Sequence, residues 1–162
     1  MDGRSFMACC VLMAGGAATA LGQTSTPGLV IGRDDFTTLR WVAGSWKGTA
    51  EHQPAIYEHY VFEDDSTLMV QSYSDSHLKN LHGTTRYALR NHRVIASGDG
   101  ATWLAVKLDS SSIEFTPLTG TKTTFSWKEE NPDRFVAVTT WPPTVDVPAR
   151  TVTYHMSRTS RK

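Results

Sequence analysis

Glu58 and Tyr60 stand two residues apart in the run Ile56-Tyr57-Glu58-His59-Tyr60-Val61-Phe62. In an extended strand, side chains two apart project from one face. A carboxyl and a phenol therefore share a face with Ile56 and Phe62. Inside a fold, such a pair does one of two things. It fixes the polar end of an otherwise apolar ligand, or it moves protons as general acid and base, the chemistry of a lyase or isomerase. A buried carboxylate without a partner is costly. Arg86, with His82 on its own face, is the candidate partner. The alternative leaves Glu58 or Arg86 in water and packs Tyr57 or Tyr87, because Tyr87 and Leu89 form the more apolar face of that segment.

Other chemistries are not indicated. His52, His59, His77, His82, His92 and His155 are not spaced as paired metal ligands, and a zinc site needs three or four converging donors; no metal is expected. There is no G-x-S-x-G run for a nucleophile and no G-x-x-x-x-G-K-[ST] loop for phosphates. The acid pairs Asp64-Asp65 and Glu129-Glu130 precede turns and read as solvated. Trp103, Trp127 and Trp141 read as core side chains rather than sugar-stacking platforms. The 162 residues carry 16 Lys+Arg against 16 Asp+Glu. A neutral chain lacks the clustered positive surface that nucleic-acid binding requires. With 40% hydrophobic residues it has the means to build one core.

The elements that must position these groups are mostly strands. Residues 1–22 come first and have the layout of a signal peptide: Arg4, an apolar run from Phe6 to Leu21, then Ala20 and Gly22 before a cut at Gln23. The run is short of the roughly 20 apolar residues of a membrane span. No span is expected after cleavage, and the location is periplasmic or secreted. Cys9 and Cys10 leave with the signal, which suits an oxidising compartment. Residues 23–33 read as a linker and 34–162 as one domain. Asp34 or Asp35 offers a helix N-cap. Phe36, Leu39 and Val42 follow at helical spacing, and Gly44 stops a short helix over about 35–43.

From Gly44 onward, β-branched and aromatic residues dominate and turn residues recur every 8–12 positions. The expected strands are 44–52, 56–63, 67–75, 82–90, 92–97, 101–108, 112–117, 122–129, 133–141 and 149–158. Short turns between them favour an all-β up-and-down antiparallel barrel of 8–10 strands with one N-terminal plug helix. A barrel of that size can hold one small ligand.

Gly44-Ser45-Trp46-Lys47-Gly48 after a short helix resembles the opening of the calycin superfamily, the lipocalins, fatty-acid-binding proteins and their relatives. The resemblance implies a Trp packed at the closed end of the barrel under a basic side chain from the last strand. Trp46 and Arg158 hold those positions and would be structural. Alternation agrees: Val152, Tyr154, Met156 and Arg158 share a largely apolar face, opposite Thr151, Thr153, His155 and Ser157. Gly48 and Ala50 share the Trp46 face and, being small, would leave room inside.

The stretches LRWVAGSWKG and YEHYVFEDDSTLMVQSYSD look like the secreted lipocalin-like domains of bacteria, over about residues 36–158. That group supplies a fold and no catalytic residues. One calycin branch, the nitrobindins, holds haem through a His in a His-Val-Thr-Tyr-like stretch of the last strand. Here the stretch is Thr151-Val152-Thr153-Tyr154, with Thr151 at the ligand position, so haem is not expected. The expected function is to bind a small apolar or amphipathic molecule, with Gly48, Ala50, Glu58, Tyr60, Arg86, Tyr87, Val152, Tyr154 and Met156 facing it. The alternatives are the Glu58–Tyr60 enzyme and an interaction module whose interior is filled by Trp103, Phe125 and Trp127.

Overall fold

A computed structural model describes residues 29–159. The expected signal segment and the linker up to residue 28 lie outside the described residues. Phe36, Leu39 and Val42 repeat at three-residue intervals, and their burial winds the chain into one helical segment. It comprises α1 (Arg33–Thr37) and a 3₁₀ turn (Thr38–Val42), with all three side chains buried. The cap differs from expectation. Gly32 is the N-cap, and Asp35 reaches back to accept the Gly32 N–H at 2.7 Å. The acid serves the cap from inside the first turn instead of occupying it.

Ten strands follow: β1 (Gly44–Thr49), β2 (Ile56–Asp64), β3 (Thr67–Tyr73), β4 (Leu81–Arg90), β5 (Arg93–Gly98), β6 (Ala101–Leu108), β7 (Ser112–Thr119), β8 (Thr124–Asn131), β9 (Arg134–Trp141) and β10 (Arg150–Arg158). Each pairs antiparallel with the next, and β1 pairs with β10 to close the barrel. Closure leaves no sheet edge unpaired, which is how a meander of short strands avoids edge-to-edge association. β1 is shorter than its sequence pattern suggests. The chain turns at Ala50, with the Gln53 N–H donating to the Ala50 carbonyl at 3.3 Å and His52 at φ 56°.

Directly paired residues share a face, so the register fixes the interior. Tyr60 faces Val70, Leu68 faces Tyr87, and Tyr87 faces Ala96. Ala96 faces Trp103, and Phe115 faces Phe125. Trp127 faces Ala137, Ala137 faces Tyr154, and Phe135 faces Met156. Met156 faces Gly48, and Arg158 faces Trp46. The helical segment lies across one end, where Arg40 reaches Asp65 in the β2–β3 turn at 2.6 Å and the Ile31 N–H donates to His92 in the β4–β5 turn at 2.9 Å.

That end is packed solid. The Trp46 indole donates to the Val42 carbonyl at 2.6 Å and meets Phe135 edge-on at 4.7 Å. Arg158 lies over the Trp46 ring at 4.2 Å. Its guanidinium donates to the carbonyls of Ala43 at 2.6 Å, Trp41 at 3.0 Å and Pro132 at 2.8 Å. Gly44 explains the first residue of the G-x-W run. Its φ is +119°, and a Cβ there would stand 2.7 Å from an Arg158 nitrogen. A side chain at this position would meet both backbone strain and the clamp.

Candidate functional site

Glu58 projects inward from the middle of β2, beside Ser72 across the β2–β3 ladder. Its Oε2 accepts a hydrogen bond from the Tyr60 hydroxyl at 2.6 Å, and its Oε1 accepts one from the Ser72 hydroxyl at 3.1 Å. Burial pushes the Glu58 carboxyl above the ordinary carboxylate range, while the two hydroxyl donors pull it part of the way back. Burial, with the Glu58 charge next in weight, holds the Tyr60 hydroxyl well above the usual phenol range. The same two causes act on Tyr87. Both phenols therefore stay protonated and can donate.

The expected Glu58–Arg86 pair does not form. Arg86 lies opposite Met69 and Ser97 on the outer face and approaches Glu63 at 4.0 Å. The reason is parity: Tyr87 and Leu89 take the inward positions of β4, as the more apolar face should, and Arg86 must then point to water. His82 shares that outward parity and is exposed. Gly48 also corrects its expectation. It lies inside, but Ile56 and Met156 fill the space above it, each with an atom 2.6 Å from where a Cβ would sit.

The remaining expected residues divide between two halves of the interior. Tyr60 and Tyr87 are buried among rings: Tyr60 meets Trp127 at 5.4 Å, and Tyr87 meets Trp127 at 4.9 Å and Phe115 at 5.4 Å. Met156 is buried with them, and Val152 is buried farther along β10. Glu58, paired with Trp46 across the β1–β2 ladder, faces inward and stays half-buried, as do Ser72 beside it and Phe125, Thr139 and Tyr154 on β8 to β10, and Ala50 is half-buried just beyond the end of β1. Thr151 points outward and pairs its hydroxyl with that of Thr140 at 3.1 Å. Among the described residues, no three His, Cys, Asp or Glu side chains converge on a point.

Two features escaped the sequence reading. Ser72 has no type signal on a strand, and its role follows from its place opposite Glu58. The other is a groove of about 460 Å³ at the rim away from α1, lined by Trp141, Pro142, Val147 and Pro148 with Lys122 and Arg150. Arg150 lies over the Trp141 ring at 5.0 Å and donates to Gln53 at 3.0 Å. The proline run marks a break in sequence, but the groove needs the β9–β10 loop folded back onto the β7–β8 turn, which no local pattern reveals.

No protein-family model and no curated protein matches the sequence. Among solved structures, the chain is similar to one described as EF1p2_mFAP2b bound to DFHBI, with a TM-score of 0.39 and 12% identity over 74% of this chain and 95% of the other. It is similar also to a redesigned β-barrel, b11L5F_LGL, with a TM-score of 0.35 and 14% identity over 74% of this chain and 93% of the other.

Proposed function

We propose that this chain is a binding barrel of the calycin kind, holding a small apolar or amphipathic molecule in its interior. Glu58 carries the reading. A carboxylate set on the inner wall, held by Tyr60 and Ser72, adds nothing to hydrophobic packing and costs desolvation. A polar group among apolar walls is instead the pattern of a site that orients a ligand. The half-buried Phe125 and Tyr154 offer apolar surface to the ligand body.

Glu58 and Tyr60 also suit acid–base catalysis by residue type, but the geometry favours holding. Tyr60 is 2% exposed and its proton is directed at Glu58, so the two groups satisfy one another. The layout of residues 1–22 supports export to the periplasm or beyond.

A second reading, an interaction module with a filled barrel, has its own observation. Phe115 stacks on Phe125 at 4.5 Å, Trp103 meets Phe125 at 5.5 Å, and Phe125 meets Trp127 at 6.1 Å. Native mass spectrometry of the protein purified from its own compartment separates the two readings. A bound small molecule released on activation is the expected result. A bare chain mass in every charge state supports the filled barrel.

A further inference from the structure

The charge of Glu58 has no counter-ion. The ion pairs among the described residues are Arg40–Asp65, Arg86–Glu63, Lys107–Glu114 and Arg158–Asp133, and neither these nor the His52–Glu51 contact includes Glu58. The basic side chains nearest the interior are engaged elsewhere. Arg158 is held by three carbonyls at the helix end, and Arg150 lies over Trp141 at the rim. Tyr60 and Ser72 use one lone pair on each carboxylate oxygen, which leaves each oxygen able to accept again. The Tyr60 hydroxyl touches this acceptor, Tyr87 is near enough to feel its charge, and Trp127 packs against both phenols, with Phe125 against Tyr87.

A carboxylate without a counter-ion in an aromatic interior is complementary to one charge type. Ring faces are negative at their centres and attract cations. A carboxylate strengthens that field, and a hydrogen bond between an ammonium and a carboxylate is stronger than one between neutral partners. An anionic head group would meet repulsion from Glu58, and a neutral alcohol would gain a single neutral-donor bond.

We propose that the interior selects a protonated amine carried on an apolar body, with the ammonium donating to Glu58. The proposal rests on the interior-binding reading above and adds the chemical class of the ligand. Ser72 and Tyr60 hold the carboxylate in place, and the aromatic rings shield the contact from water.

The test is a matched series on the full chain at neutral pH: octylamine, octanol and octanoate, followed by isothermal titration calorimetry. The tail is constant, so differences report the head group. Octylamine should bind about tenfold or more tighter than octanol, and octanoate should be weakest. In Glu58→Gln the preference for octylamine over octanol should vanish while octanol binding persists. Equal binding of octylamine and octanol by the unsubstituted protein overturns the cation proposal and leaves interior binding standing, as does octanoate binding tightest. Failure of all three to bind overturns interior binding itself, and the cation proposal with it. Should Glu58→Gln not fold, the series on the unsubstituted chain decides the question alone.

Discussion

Glu58 is where residue chemistry and fold stability oppose one another. Its folded-state carboxyl titrates above the ordinary value because it is buried, against the pull of Tyr60 and Ser72. The folded chain then holds a proton more firmly than the unfolded chain. Stability contributed at this site is present at acid pH and falls as pH rises from the ordinary carboxylate value through the raised one. The groups facing it, Tyr60, Ser72 and Tyr87, are neutral across that range, so the comparison with a Glu58 variant isolates its slope. Asp109 has the opposite sign. Its carboxyl is pulled down to about 2, chiefly by the Ser112 hydroxyl and the Ser111 N–H, so its contribution is lost as pH falls through that region. Glu58→Gln should therefore raise the urea midpoint at neutral pH, with the gain shrinking towards pH 4. Equal midpoints for both proteins at neutral pH would mean that the carboxylate costs nothing. The Glu58–Tyr60 face was legible from spacing of two. The partner was not, because choosing between Arg86 and Ser72 requires the β2–β3 register and the parity of β4. The apolar Tyr87–Leu89 face already pointed that way.

At the scale of elements, the strand pattern was readable because alternation and turn residues mark it locally. Every strand from β2 to β10 lies within two residues of its expected bounds. What local pattern does not carry is how far neighbouring side chains lean into a vacant position. Gly48 looked like space. In the barrel, Ile56 from β2 and Met156 from β10 close over it from both sides, so β1 is thin at this point because its neighbours are thick. Gly48→Ala should then overpack, costing about 1–3 kcal/mol. Met156 Sδ lies on a flexible side chain that can give way, but Ile56 Cγ1 adjoins the branched Cβ of a side chain stiff at χ1, so the cost belongs at the upper end, and combined with Met156→Ala the two losses should be less than additive. Denaturant melts of the two single variants and the double variant measure this. A stabilised Gly48→Ala would show that the contacts relax freely. The β9–β10 loop illustrates the same limit: Val145 and Val147 are exposed, and their sequence gives no hint that Val147 borders a rim groove.

For the whole molecule, the decisive contact joins the two ends of the chain. A meander of ten strands forms from neighbours, each hairpin closing a short loop, except for the β1–β10 seam. That seam closes a loop of more than a hundred residues, and its entropic cost grows only slowly with length. The ladder of Trp46–Arg158 through Thr49–His155 spans four pairs. Arg158 extends its reach, linking β10 to the β1 indole, the helical segment through Trp41 and Ala43, and the β8–β9 turn through Pro132. Its ion pair with Asp133, at 3.4 Å and largely in solvent, adds little. The carbonyls and the ring should dominate. Trp46→Ala should cost about 3–5 kcal/mol as a large core deletion. Arg158→Ala should cost about 2–4 kcal/mol through lost charged hydrogen bonds and ring contact. Arg158→Lys should recover little, because an ammonium cannot span carbonyls on three separate segments as a guanidinium fork does. The double variant should fall short of the sum by roughly 0.5–3 kcal/mol, the coupling expected of groups in contact. Additive losses in that cycle would show that Trp46 and Arg158 stabilise separate parts of the fold. The seam would then be held by its backbone ladder alone.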